Sequence, residues 1–176
     1  MRTWPPALAN LRGRGVTRPA GPVSAQTTAE LAARLDAAAQ TRLGRSLALR
    51  HVDAGGCNGC NLELRALGNI VYDLERFGLR FVASPRHADV LLLTGPLTRT
   101  MREALAATWE AMAEPKWLVA VGDCAIDGGV FKGSYACLDG ASGLAADLVV
   151  RGCPPAPAPI LDGLRSLLEA NAAPHP

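Results

Sequence analysis

The sequence predicts a parallel α/β sandwich of three layers. Strand-like and helix-like stretches alternate from residue 46 onward, which implies right-handed crossovers between parallel strands. Ala88–Thr94 (ADVLLLT) and Lys116–Val121 (KWLVAV) are continuous apolar runs, the pattern of strands covered on both faces. Of the 176 residues 49% are hydrophobic, enough for a core without disulfides.

The elements follow in order. Residues 1–26 are rich in Pro, Gly and Arg, show no period and read as an extended arm. Residues 27–43 are Ala-rich, with Leu31, Leu35 and Leu43 on one stripe, Thr27 or Thr28 as cap, Glu30 in the first turn and Gly44 as stop. Ser46–Val52 reads as a strand running into the loop DAGGCNGC. Asn61–Phe77 carries Leu62, Leu64, Leu67, Ile70, Val71 and Leu74 at helical spacing and is closed by Gly78. Leu79–Ala83 is a short strand, Ala88–Thr94 a buried one, and Thr100–Met112 a helix. Lys116–Val121 ends at Gly122, and Asp147–Val150 is a last short strand. Pro157–Leu168 closes the fold as a helix with prolines at its entry. The chain divides into an N-terminal arm and helix (1–45), an α/β domain carrying the site (46–170), and a tail (171–176).

Composition excludes several classes. A net charge of +2 points to no nucleic-acid partner. No window approaches the length of an apolar membrane span. Pro5 and Pro6 interrupt the N-terminus where a signal peptide needs a continuous apolar core, so a cytoplasmic location is expected. Five cysteines in such a chain argue for metal binding or redox chemistry rather than a disulfide framework.

Four of these cysteines lie beyond predicted strand ends, where α/β sheets gather their ligands. Cys57 and Cys60 follow the first strand as a CxxC pair, Cys124 follows KWLVAVG, and Cys153 follows DLVVRG. Three loops distant in sequence therefore converge on one rim, which implies a shared metal site. Gly55, Gly56, Gly59, Gly122 and Gly152 permit tight turns there, and Pro154 directly after Cys153 offers a rigid cover. A cubane iron–sulfur cluster takes four thiolates, and CxxC supplies two from one turn. Four cysteines also make a structural zinc site, although zinc ligands usually come as two pairs. Spacing leaves both open. Cys137, in SYACLDG, has no ligand partner nearby and reads as a small buried residue.

The segments HVDAGGCNGCNLEL, ASPRHADVLLLTGPLTRTMREAL, WLVAVGDCAIDGGVFKGSYA and VRGCPPAPAPIL, in that order, resemble the 20 kDa subunit family of NADH–quinone oxidoreductase. That family includes the small subunits of membrane-bound group 4 [NiFe] hydrogenases. The resemblance implies a flavodoxin-like core and one [4Fe–4S] cluster on Cys57, Cys60, Cys124 and Cys153. The CxxC spacing resembles the formate-hydrogenlyase and hydrogenase-4 branch, whereas the respiratory branch has adjacent cysteines. The implied role is an electron-transfer subunit, not catalytic alone, peripheral on the cytoplasmic face of the inner membrane. Its implied partners are a hydrogenase-type large subunit, a ferredoxin-like two-cluster subunit and integral membrane subunits. Two other readings stand beside it: the cluster-bearing 20 kDa subunit of a complex I-like quinone oxidoreductase without hydrogen chemistry, and a zinc-stabilised assembly module.

Two departures stand out. Asn61 replaces an acidic residue common in relatives, and Cys137 an aliphatic one. Glu63 reads first as a charge at a helix start, with proton transfer or docking as the alternative. His51 and Asp53 read as core or hydrogen-bonding residues, Arg99–Arg102 as a solvated helix start or an interface, and His87 and His175 as isolated. The loops GPLTRT and AIDGGVFKGSYA, the latter with Val130, Phe131 and Tyr135, read as a partner surface or as apolar residues packed beneath the loop.

Overall fold

The computed structural model describes residues 25–77 and 79–170. Most of the predicted arm, the stop at Gly78, the tail and His175 lie outside them.

Five strands form one parallel sheet: β1 (Ala48–Asp53), β2 (Arg80–Phe81), β3 (Val90–Thr94), β4 (Trp117–Val121) and β5 (Leu148–Val150). Their order is β2-β1-β3-β4-β5, the order of flavodoxin-like sheets, and ligands bind where that order reverses, beyond the ends of β1 and β3. Every residue of β3 and β4 is buried, because both faces are covered and side chains alternate between them. Val90, Leu92, Trp117, Val119 and Val121 join one apolar cluster, while Leu91, Leu93, Leu118 and Ala120 join the other.

Three helices cover the first face: α1 (Ala25–Leu43), α2 (Gly59–Ala66) and α5 (Pro157–Ala170). The second face is covered by α3 (Arg102–Glu110) and α4 (Asp123–Asp127), through Leu105 and Ala125. The N-terminal helix shares the main core. Its Ala32, Leu35 and Ala39 are fully buried beside Ile160, Leu161, Leu164 and Leu168 of α5. Each buried Leu contributes about 1.5–3 kcal/mol of apolar transfer. Beyond α1, the Arg45 guanidinium grips the buried Asp89 carboxylate, which also accepts from the Ala48 N–H at 2.9 Å. That clasp fixes the entry to β1 against the entry to β3.

Helix α1 starts two residues earlier than expected, so Thr27 and Thr28 lie inside it rather than capping it. The expected helix over Asn61–Phe77 is broken. α2 stops at Ala66, and the Asn69 side-chain oxygen accepts the N–H groups of Val71 (2.8 Å) and Tyr72 (3.1 Å). This side chain offers the backbone a turn in place of the next helical turn. A single 3₁₀ turn, Leu74–Phe77, follows. Leu64, Leu67 and Leu74 are buried as the stripe predicted, but Leu62, Ile70 and Val71 face solvent at 57%, 94% and 60% exposure.

Candidate metal centre

The parallel register places the ends of β1 and β3 side by side, with Asp53 opposite Thr94. The chain leaves β1 through a turn that the Asp53 carboxylate organises: one oxygen accepts the N–H groups of Gly55 and Gly56, both at 3.0 Å. Asn58 then adopts a left-handed conformation (φ 71°), which Asn tolerates better than other side-chain-bearing residues, and α2 begins at Gly59. Cys57 therefore sits in the turn and Cys60 in the first helical turn. Glu63 lies in the second turn, so its reading as a helix-start charge does not hold.

Cys124 is not in a loop. It is the second residue of α4, which starts directly after Gly122 at the end of β4. Cys153 follows β5, and its loop is laced to α4: Gly122 N–H donates to Val150 at 2.8 Å, and Asp123 N–H to Gly152 at 2.9 Å. Gly152 N–H returns a bond to the Asp123 carboxylate at 3.0 Å.

All four cysteines line one cavity, together with Asp53, Asn61, Thr94, Gly95, Asp123 and Pro154. The sequence expectation of one shared rim is met in position. A side chain at Gly122 would displace the Cys60 thiol, since a Cβ there falls 2.5 Å from Cys60 Sγ, and φ is +91°. Gly95 is similarly constrained: its Cβ would reach 2.6 Å from the Gly56 nitrogen, so the β3 exit and the cysteine turn lie backbone to backbone. Cys137 is buried elsewhere, where Thr98 and Cys137 bridge the GPLTRT loop to the loop after α4. Arg99 supports that junction by donating to the Tyr135 carbonyl at 2.7 Å. Val130 and Phe131 are half-buried, whereas the Tyr135 side chain is 91% exposed.

Three of the thiols, those of Cys60, Cys124 and Cys153, resist ionisation. Burial, then the neighbouring Cys124, Cys153 and Cys57, push Cys60 up to about 12. Burial raises Cys124 to about 11 against an N–H bond from Val130, and burial with Cys57 raises Cys153. Four thiolates here repel one another and need a compensating positive charge. Among the described residues the cavity lining offers none, its charged side chains being Asp53 and Asp123. Among the described residues, no three Cys, His, Asp or Glu side chains converge tightly enough to hold a single metal ion.

A polar chain braces the cysteine turn from behind. His51 Nε2 meets the buried Thr94 hydroxyl at 2.9 Å, Thr94 donates to Asn61 Oδ1 at 2.9 Å, and the Asn61 amide donates to Asp53 at 2.7 Å and Asn58 at 3.1 Å. Burial lowers the His51 pKa, with Asp53 opposing. Burial pushes the Asp53 carboxyl up, but the bonds from Gly56, Asn61 and Gly55 outweigh it and hold the group below its ordinary value. His51 and Asp53 are thus hydrogen-bonding residues, as expected. Thr94 and Asp123 were not legible as members of the site, whereas Asn61 stood out only as a departure from relatives. The signals were slight: a lone hydroxyl closing an apolar run, and a carboxylate one residue before a cysteine.

The family model of the NADH ubiquinone oxidoreductase 20 kDa subunit matches residues 57–167, a span that opens on the first of these cysteines and takes in all four. The chain belongs to this family. Among 20 kDa subunit relatives, it is 39% identical to formate hydrogenlyase subunit 7 of Escherichia coli over 81% of this chain, spanning 56% of that protein's length. It is 44% identical to a probable membrane-bound hydrogenase subunit of Pyrococcus furiosus, over 74% of this chain and 78% of that one. The corresponding NADH-quinone oxidoreductase subunit of Geobacter is 43% identical over 64% of this chain and 66% of its own. A chain of the membrane-bound sulfane sulfur reductase, an archaeal respiratory membrane complex, superposes with a TM-score of 0.63 at 32% identity, covering 77% of this chain and 74% of that one. No helix among the described residues is long and apolar enough to cross a membrane.

Proposed function

We propose that this chain is the cluster-bearing, electron-relaying subunit of a membrane-associated hydrogenase-like complex. Cys57, Cys60, Cys124 and Cys153 would hold one [4Fe–4S] cluster. The observation that carries the reading is the meeting of four cysteines, from three strand ends, on one cavity whose wall has no space for a side chain at Gly122. The donor set is all sulfur, as cubane clusters require, and family membership supports an iron–sulfur cofactor.

When bound, the cluster supplies a one-electron store whose potential is set by its hydrogen bonds, charge and exposure. The chain's own residues do the rest. Asp53, Asn58 and Asn61 hold the CxxC turn, and Asp123 holds the Cys153 loop against α4. Pro154 forms part of the wall, and Cys57 lies on the exposed side where a partner would approach. Partners of the stated kind are a hydrogenase-type large subunit, a ferredoxin-like subunit and membrane subunits, with the chain peripheral on the cytoplasmic face.

The CxxC spacing and the two hydrogenase relatives favour hydrogen chemistry. A second reading, a quinone-linked complex, is favoured by the NADH-quinone oxidoreductase relative. Protein purified anaerobically is expected to contain iron and acid-labile sulfide in equal amounts and to absorb broadly in the visible. Zinc without that absorption overturns the proposal. Hydrogen uptake by the purified complex, with two CxxC pairs in its large subunit, separates the first reading from the second.

A further inference from the structure

Asp123 touches the site in two ways that its neighbours do not. It makes a two-point clasp with Gly152, donating its N–H to the Gly152 carbonyl at 2.9 Å and accepting the Gly152 N–H on its carboxylate at 3.0 Å. Gly152 precedes Cys153 and Asp123 precedes Cys124, so this one residue joins the two single cysteines, which have no CxxC partner of their own. Its carboxylate also lines the cavity, and among the described residues it forms no ion pair with Lys, Arg or His. The charged groups on the remaining wall do not offset it, since Asp53 is the only other and carries the same sign.

A carboxylate without a counter-ion in a partly buried site resists the addition of an electron nearby, because low local dielectric strengthens like-charge repulsion. A helix-dipole role explains little here, as α4 has only five residues.

We infer that Asp123 is a positioning residue with two separable effects: its oxygen clamps the Cys153 loop onto α4, and its charge holds the reduction potential of the bound cluster low. This rests on the cluster reading above. The two effects part in Asp123→Asn, whose amide oxygen still accepts from Gly152 while the charge is gone.

The test uses the full chain purified anaerobically with its iron, followed by iron content, resistance to a chelator and a dye-mediated redox titration. Asp123→Asn is expected to keep its iron and to move its midpoint upward by at least a tenfold change in the reduction equilibrium, about 59 mV for one electron. Asp123→Ala is expected to show the same upward shift in the clusters it retains, and to lose iron to chelator severalfold faster than either. Asp123→Glu should keep the wild-type midpoint. An unchanged midpoint in iron-replete Asp123→Asn overturns the inference while leaving the cluster reading intact. Iron loss from Asp123→Asn as fast as from Asp123→Ala also overturns it, since the clamp should survive the exchange. Wild-type protein without iron defeats the cluster reading itself, and this inference with it.

Discussion

The Asn61 amide donates to the Asp53 carboxylate at 2.7 Å, and this bond ties the helix after the cysteine pair to the strand before it. The turn carrying Cys57 and Cys60 is therefore fixed at both ends by one contact. Thr94 supplies the third point, from the neighbouring strand. The placement of these cysteines depends on side chains other than the cysteines themselves, as outer residues orient the ligands of metal sites.

Replacing Asn61 with Ala should loosen the turn and leave the buried Thr94 hydroxyl short of its acceptor. The stability cost is expected to be about 0.5–1.5 kcal/mol, the usual net worth of a lost hydrogen bond, since the hydroxyl keeps His51 as a partner. Urea unfolding measures that cost, and the rate of iron loss to a chelator measures the loosening. Wild-type values in both would show that Asn61 is not a brace.

The pH dependence of stability should report Asp53. Its folded carboxyl is held below the ordinary value, so it contributes stability that is present above the unfolded value and lost as pH falls through the folded one. Asp53→Asn removes that contribution. The stability difference between wild type and variant is expected to be largest near neutral pH and to shrink below about pH 4. Denaturant titrations at several pH values check this, and a difference constant from neutrality to about pH 3 would contradict it.

Much of this was legible in the sequence, for reasons particular residues make plain. The runs VLLLT and WLVAV read as doubly covered strands because both sheet faces carry helices, and they proved to be β3 and β4. The convergence of the four cysteines on one cavity was readable because their segments follow strand ends. The helix expected across Asn61–Phe77 failed because periodicity counts apolar spacing and ignores what a side chain does to the backbone. Asn69 competes for the N–H groups of Val71 and Tyr72, which no hydrophobic pattern reveals. Thr94 and Asp123 were missed because their roles exist only between strands distant in sequence.

Cys124 and Cys137 should separate cleanly under substitution by Ser. Cys124 lines the cavity, so Cys124→Ser is expected to lose most iron and visible absorption. Cys137 packs at the bridge to Thr98, away from the cavity, so Cys137→Ser should keep both. It should lose about 1–2 kcal/mol of stability from burying a hydroxyl where a thiol packed. Iron analysis beside thermal unfolding distinguishes the two, and iron loss in Cys137→Ser would mean a fifth cysteine bears on the site.

Gly122→Ala is the sharpest test of the cavity wall. The added methyl would fall 2.5 Å from Cys60 Sγ, and the backbone is at φ +91°, where side chains are strained. Either the cysteine must turn away or the β4 exit must shift. The backbone strain alone costs about 1–3 kcal/mol, which a domain with this much buried Leu and Val should survive folded. Iron binding is expected to fall much further than stability, because Cys60 loses its place while the sheet keeps its packing. Circular dichroism at the wild-type level with most iron lost is the expected outcome. Retained iron would show that the wall yields and that Gly122 is not needed to seat Cys60.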